Sequence, residues 1–112
     1  MLKRIFILCS LLLCITACND PIAGQPFFDR ITAMEKSIKE EEWEISKKQW
    51  KEFNSHYKDN TWKLQLIGDE NEYEGVHESL LRLEAAINQH DSTQALIELA
   101  NIKAYLEQIY SM

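Results

Sequence analysis

Few residues of this 112-residue chain have the types and spacing that catalysis or metal binding requires. Glu74 and His77 are three positions apart, the spacing at which di-iron helical bundles place two ligands on one helix face. Such a site needs a second motif of this kind and two further carboxylates, whereas Glu52 and His56 are four positions apart. We therefore interpret Glu74 and His77 as residues of a solvent-exposed helix face and expect no metal.

The clustered carboxylates at residues 40–42 and at Asp69–Glu70 would support acid–base catalysis only if an apolar pocket raised the pKa of one of them. Neither sequence context indicates burial. The chain also has no glycine-framed nucleophile and no phosphate-binding glycine loop. We expect neither an enzymatic activity nor a cofactor.

The most informative reactive group is the thiol of Cys18, which ends the sequence ITAC at residues 15–18. The preceding residues have the order of an export signal, with two basic residues, an apolar run and two small residues. The apolar run is about half as long as a membrane-spanning helix. The four-residue pattern looks like a bacterial lipobox, in which the thiol receives a diacylglyceryl group and cleavage makes the cysteine the first residue. An ordinary export signal or an uncleaved anchor is the alternative.

Cleavage before Cys18 would remove Cys9 and Cys14, so the mature chain would hold neither a free thiol nor a disulfide. Residues 18–112 suffice for one domain. Lys3 and Arg4 leave with the signal. The mature chain therefore keeps ten of the 12 basic residues and all 18 acidic ones, which gives it a net charge of −8. This charge argues against nucleic acid as a partner and against a domain that lies flat on an anionic membrane.

The segment after Cys18 predicts a short tether, because residues 19–26 hold both prolines and Gly24 and show no apolar periodicity. We therefore divide the chain into a signal peptide at residues 1–17, a lipidated cysteine and tether at 18–26, and a helical domain at 27–112. Eight tether residues extend at most about 26 Å, which would keep the domain close to the outer face of the membrane.

Apolar residues recur at helical spacing in four segments, and no segment alternates as a strand would. Turns are predicted at residues 40–42, at Gly68–Asp69 and at 90–92, with Gly68 in the left-handed conformation and capping boxes that begin at Asp69 and Asp91. The predicted core positions of the four helices are, in order, Phe27, Ile31, Met34 and Ile38; Trp43, Ser46, Trp50, Phe53 and Tyr57; Tyr73, Val76, Leu80, Leu83 and Ile87; and Ala95, Leu99, Ile102, Leu106 and Ile109.

The second helix is expected to bend or break at residues 59–61, which are poor helix formers. Beyond this point Trp62, Leu66 and Ile67 form an apolar stripe that is displaced around the helix axis. We expect Trp62 to stay partly exposed, and we predict that Trp62 and Leu66 bind a partner, since tryptophan is enriched at binding hot spots. A core position for Trp62 near Gly75 is the alternative.

The apolar pattern repeats at an offset of 49 residues, so that Ile38 corresponds to Ile87 and Ser46 to Ala95. Each half is then a helical hairpin, somewhat like one unit of a tetratricopeptide array. Two hairpins predict an all-α, four-helix up-down bundle, with a short two-repeat tetratricopeptide-like stack as the alternative. Whether the repeat reflects a true duplication stays open.

The spaced residues Trp43, Trp50 and Trp62, together with the sequence HESLLRL at residues 77–83, resemble a family of small, membrane-anchored, all-helical proteins from spore-forming Gram-positive bacteria. That family is known only as a domain of unknown function, and the similarity covers roughly residues 28–110. It implies a helical extracytoplasmic domain but no substrate and no site. Its members usually keep an uncleaved anchor, whereas this chain has the lipobox pattern.

The expected function is that of a lipid-anchored, non-enzymatic interaction or scaffolding module on the outer face of the cell membrane. Its expected partners are the bilayer, through acylated Cys18, and another envelope protein. A lipoprotein that senses a small ligand or a cation is the alternative. The first function predicts an exposed apolar patch, and the second predicts an enclosed, polar-lined cavity.

Overall fold

The computed structural model describes residues 24–68 and 70–111, without the side chain of Ile67, and these residues form helices and no strand. Every helix packs against its neighbours along the chain, and the first also packs against the last, which closes the ring of a four-helix up-down bundle. The predicted all-α bundle is therefore confirmed. The helices are α1 (Gln25–Lys39), α2 (Trp43–Ile67), α3 (Glu70–Asn88) and α4 (Ser92–Ser111).

The core of the bundle follows the predicted apolar positions. All of them are buried except Trp43 and Tyr73, which are partly buried and pack against the core. Because large side chains from all four helices meet there, hydrophobic burial is the main term that holds the bundle together. Further buried residues that the apolar pattern missed are Ser37, Leu64, Ser79, Ala86 and Glu98.

Helix α1 begins at Gln25, two residues before the predicted start of the helical domain. Pro26 was assigned to the tether but lies in the first turn, where its fixed φ fits the helix and its missing N–H has no partner to lose. Gln25 Nε2 donates a hydrogen bond to Asp29 Oδ1 at 2.9 Å and supports this turn. The first helix therefore includes the end of the predicted tether.

Helix α2 runs without a break through residues 59–61, so the predicted interruption is wrong. The polar side chains bond to the helix itself: Asn60 Nδ2 donates to the His56 carbonyl at 2.8 Å, and Thr61 Oγ1 donates to the Tyr57 carbonyl at 2.7 Å. The core stripe also continues without rotation, because the buried residue beyond the polar segment is Leu64, seven positions after Tyr57.

The two hairpin turns lie where the sequence predicted them and have the same backbone conformation. Glu41 has a φ of 56° and His90, 49 positions later, has a φ of 57°. In each turn an amide bonds back five residues, Glu42 N to Ser37 O and Asp91 N to Ala86 O, both at 2.9 Å. The structure therefore repeats at the same offset as the sequence.

Helix capping differs in part from the prediction. Asp91 Oδ1 accepts a hydrogen bond from the Gln94 amide at 3.1 Å, which confirms its capping role at α4. Gly68 is extended, with φ −102° and ψ 172°, so its predicted left-handed conformation is wrong. A Cβ at Gly68 would lie 3.0 Å from Ile109 Cγ1, so close helix packing is the reason that glycine fits there. The capping box predicted at Asp69 lies outside the described residues.

Candidate interaction surface

The outward face of α2 carries the two residues that were predicted to bind a partner. Trp62 is 60% exposed and Leu66 is 79% exposed, whereas Leu64 between them is 1% exposed. Two residues turn a helix through 200°, so Trp62 and Leu66 each point about 160° away from Leu64 and the core. They are four positions apart and form one apolar patch. The predicted exposure of Trp62 is confirmed, and partner binding stays a prediction.

The space next to Gly75, the alternative core position for Trp62, is occupied by the ring of Tyr105. A Cβ at Gly75 would lie 2.5–2.7 Å from three ring atoms of Tyr105, which shows that α4 covers this glycine directly. The expectation that Gly75 permits close approach is confirmed for α4. Trp62 therefore makes no contribution to this contact, and its ring faces away from the core.

Basic side chains lie beside the patch and along the exposed side of α2 that precedes it. Lys63 Nζ lies 5.5 Å from the centroid of the Trp62 ring, a distance at which a cation is attracted to the ring face. Lys58 lies one turn before Trp62 and is exposed. Lys51 and Lys48, nearer the start of α2, are exposed as well. Within the described residues, Lys48, Lys51 and Lys58 form no ion pair. The exposed side of α2 is thus basic as well as apolar at its end.

The charge of the bundle is distributed unevenly. Helix α2 carries five lysines against three acidic residues, whereas α3 carries one arginine against five glutamates. Two of the three acidic residues of α2 are paired, Glu44 with Lys47 at 3.4 Å and Glu52 with Arg30 at 3.8 Å. An acidic protein therefore has a helix, α2, with a net positive charge.

The inward side chains of α2 tie the helix to its neighbours and fix the outward direction of the patch. Trp50 Nε1 donates to the Leu80 carbonyl at 2.9 Å, and Tyr57 Oη donates to the Tyr73 carbonyl at 2.9 Å. Burial, followed by the neighbouring Tyr73, raises the pKa of Tyr57 to about 12. These bonds prevent α2 from turning about its axis.

Histidine His56 lies on the side of α2 that faces α1. Its ring centroid is 4.6 Å from that of Phe27, close to the first turn of α1. Burial, followed by the positive charge of Arg30, lowers the pKa of His56. The neutral imidazole is therefore the form that fits this contact.

A polar network between α3 and α4 was not predicted. Glu98 is 3% exposed, and its Oε1 accepts hydrogen bonds from Arg82 Nε at 2.9 Å and Gln94 Nε2 at 3.0 Å. At the repeat offset Glu98 corresponds to Gln49, which accepts a hydrogen bond from buried Ser37 at 2.6 Å. A polar residue at the same position in both halves was the signal that could have found this network.

The two residues with the spacing of metal ligands lie on the protein surface. Glu74 and His77 are exposed, and the described residues contain no group of three or more His, Cys, Asp or Glu side chains placed to hold a metal. An open groove of about 270 Å³ lies between α2 and α3, beside Trp50, Lys51 and Glu84. Such an open groove lacks the enclosure that small-ligand sites usually have.

Comparison with known proteins adds a family. The family described as Domain of unknown function (DUF4363) matches residues 24–112, which include all four helices. The chain belongs to this family. No curated protein and no solved structure gives a significant match. Among the described helices, none is long and apolar enough to cross a membrane.

Proposed function

We propose that this DUF4363 protein is a lipid-anchored, non-enzymatic interaction module on the outer face of the cell membrane of a Gram-positive bacterium. The lipobox-like sequence before Cys18 supports the anchor and its side of the membrane. The patch formed by Trp62 and Leu66 supports the interaction role and is the observation that carries the proposal. Isolated exposed apolar residues are common, but an exposed tryptophan beside an exposed leucine is a strong anchor for a contact.

The placement of the patch agrees with a role near the membrane. Phe27, in the first turn of α1, packs against Phe53, His56 and Tyr57 in the middle of α2. Helix α2 continues for ten residues after Tyr57, about 15 Å, past the start of α1. The patch therefore lies at the end of the bundle from which the chain leads back to Cys18.

The anchor is tested by mass spectrometry of the mature N-terminus. We expect an acylated Cys18 as the first residue, and in Cys18→Ala a precursor that still carries residues 1–17. An unacylated start downstream of Cys18 in membrane-bound protein would contradict the anchor.

The interaction role is tested by cysteine labelling, because the proposed mature chain has no other free thiol. The Leu66→Cys thiol should react slowly with a membrane-impermeant maleimide in intact cells and rapidly after detergent extraction. Leu81→Cys is the matched control, since Leu81 is 52% exposed on α3. It should react at the same rate in both conditions. Equal rates for Leu66→Cys in cells and in detergent would show that nothing covers the patch.

A further inference from the structure

The basic and apolar residues of α2 lie along one line on its outward face. Lys48, Lys51, Lys58, Trp62 and Leu66 follow one another at steps of three, seven, four and four residues, which keeps them on the same side of a helix. All five are exposed. The line is 18 residues, or about 27 Å, long.

This outward line is not a product of the repeated architecture. At the offset of 49 residues, the positions of Lys48, Lys51 and Lys58 are occupied in α4 by Ile97, Ala100 and Glu107. The core positions of the two hairpins correspond, whereas these outward positions do not. The basic, tryptophan-containing face therefore belongs to α2 alone and needs an explanation other than folding.

We infer that the outward face of α2 lies on the anionic surface of the bilayer, with Trp62 and Leu66 in the interfacial layer and the three lysines at the lipid headgroups. This inference rests on the proposed lipid anchor and names the component that the patch contacts. Tryptophan is enriched where membrane meets water, and lysines beside an apolar helix edge are attracted to anionic lipids.

Reach and shape favour the bilayer over a protein as the occupant. Six residues separate Cys18 from Gln25, so at full extension the bundle starts within about 22 Å of the lipid. The patch stands on a single convex helix rather than in a groove, and a fluid interface accepts such a surface without a complementary shape. The lysines Lys48, Lys51 and Lys58 complement anionic headgroups.

The net charge of −8 does not by itself prevent this contact, because part of the acidic charge lies away from the patch. The turn at residues 40–42 is at the opposite end of the bundle from Trp62, and Glu78 and Glu84 lie further along α3. Glu70, Glu72 and Glu74 begin α3 near the same end as the patch, but on a different helix. Only Asp59 is an unpaired acidic neighbour of the patch on α2. The total charge therefore does not exclude contact between this one face and an anionic membrane.

The test uses the mature, lipidated protein, residues 18–112, reconstituted into vesicles. In a Trp43→Phe, Trp50→Phe variant, Trp62 is the single source of tryptophan fluorescence. With vesicles of phosphatidylglycerol and phosphatidylcholine in equal parts, we expect blue-shifted emission and strong quenching by brominated acyl chains. Pure phosphatidylcholine, added salt, or a Lys48→Gln, Lys51→Gln, Lys58→Gln variant should each reduce the quenching at least twofold.

A second label guards against a folding defect in the double tryptophan variant. Leu66→Cys with a polarity-sensitive dye, in an otherwise unchanged chain, should report the same transfer, and the dye at Leu81→Cys should not. Vesicle flotation reads the lipid anchor separately, since an acylated protein floats whether or not the patch inserts. Flotation with no quenching at Trp62 and no response at position 66 would overturn the membrane contact and leave the anchor intact. Shielding of position 66 only when native membrane proteins are present would also overturn it, in favour of a protein partner.

Discussion

The two hairpins of the bundle repeat the same backbone arrangement but have core side chains of different size. At equivalent core positions the first hairpin has Phe27, Trp50, Phe53 and Tyr57, and the second has Val76, Leu99, Ile102 and Leu106. The backbones of α3 and α4 lie close together over more of their length than those of α1 and α2. Small side chains permit close helix approach, whereas large rings hold helices apart and reach further.

The difference shows that the first hairpin holds the two halves together. Trp50 and Tyr57 reach from α2 to carbonyl groups of α3, so the first hairpin supplies the contacts between halves. The second hairpin closes mainly on itself, through Gly75 under Tyr105 and the Arg82–Glu98 pair. Because α2 is fixed by its inward rings, its outward face can carry a binding surface.

The largest effect should come from removing a ring that joins the halves. Trp50→Ala should lower the free energy of unfolding by about 3–5 kcal/mol, because it leaves a cavity and deprives the Leu80 carbonyl of its donor. The measurement is urea denaturation. Lys51→Ala, on the exposed side of the same turn, should change stability by less than about 0.5 kcal/mol. Similar midpoints for the two variants would show that the Trp50 ring does not hold the two halves together.

Substitutions at the equivalent small residues Ala95 and Ser46 should test the close packing of each hairpin near its turn. Ala95 is fully buried where α3 and α4 lie close together, so Ala95→Leu should destabilise by about 1–3 kcal/mol. Its equivalent, Ser46, bonds to Ser37 at 2.8 Å, and Ser46→Ala should destabilise by about 1 kcal/mol. Thermal denaturation of both variants gives the comparison. A neutral Ala95→Leu would show that the second hairpin is not tightly packed.

The hydroxyl of Tyr57 should be visible in the pH dependence of stability. Its pKa is raised from 10.0 to about 12, so the unfolded phenol ionises first as the pH rises. The stabilisation it provides is complete below pH 10 and is lost between about 10 and 12. Tyr57→Phe should lower stability by about 1 kcal/mol at neutral pH and flatten this alkaline loss. An unchanged alkaline slope in Tyr57→Phe would contradict the assignment to this group.

The smallest effects should come from the two turns. Glu41→Gly relieves a left-handed residue and should stabilise by up to about 1 kcal/mol. His90→Gly relieves the same conformation but removes a ring stacked on Trp43, with centroids 5.1 Å apart, so its gain should be smaller. Equal gains in melting experiments would indicate that the stack contributes nothing.

The sequence was sufficient for the four helices, because their apolar residues recur with helical period and the turns carry strong polar signals. It predicted the wrong core-facing side for α2 beyond residue 61. Trp62 and Leu66 are more conspicuous than Leu64, yet the heptad from Trp43 through Trp50 and Tyr57 leads to Leu64. The helical period, and not the size of the side chain, therefore decides which residue enters the core. The residues outside the heptad form the exposed patch.

Other features could not be read from local pattern. Glu98 is buried because Arg82 and Gln94 reach it across and along the hairpin, and no single-helix pattern reveals such a pairing. Gly68 ends α2 as predicted, but in an extended conformation, beside Ile109 of another helix. The basic outward face of α2 was hidden by the net charge of the whole chain. Cys18 lies outside the described residues, and its lipidation stays a prediction.

Photo-crosslinking in living cells, with a photoreactive residue at position 62, shows directly whether the outward face of α2 is the contact surface. A residue of the same type at position 81, exposed on α3, is the control. We predict lipid adducts from position 62, confirmed by mass spectrometry, and none above background from position 81. No adduct at position 62, or equal adducts at both positions, would show that the outward face of α2 does not contact the membrane.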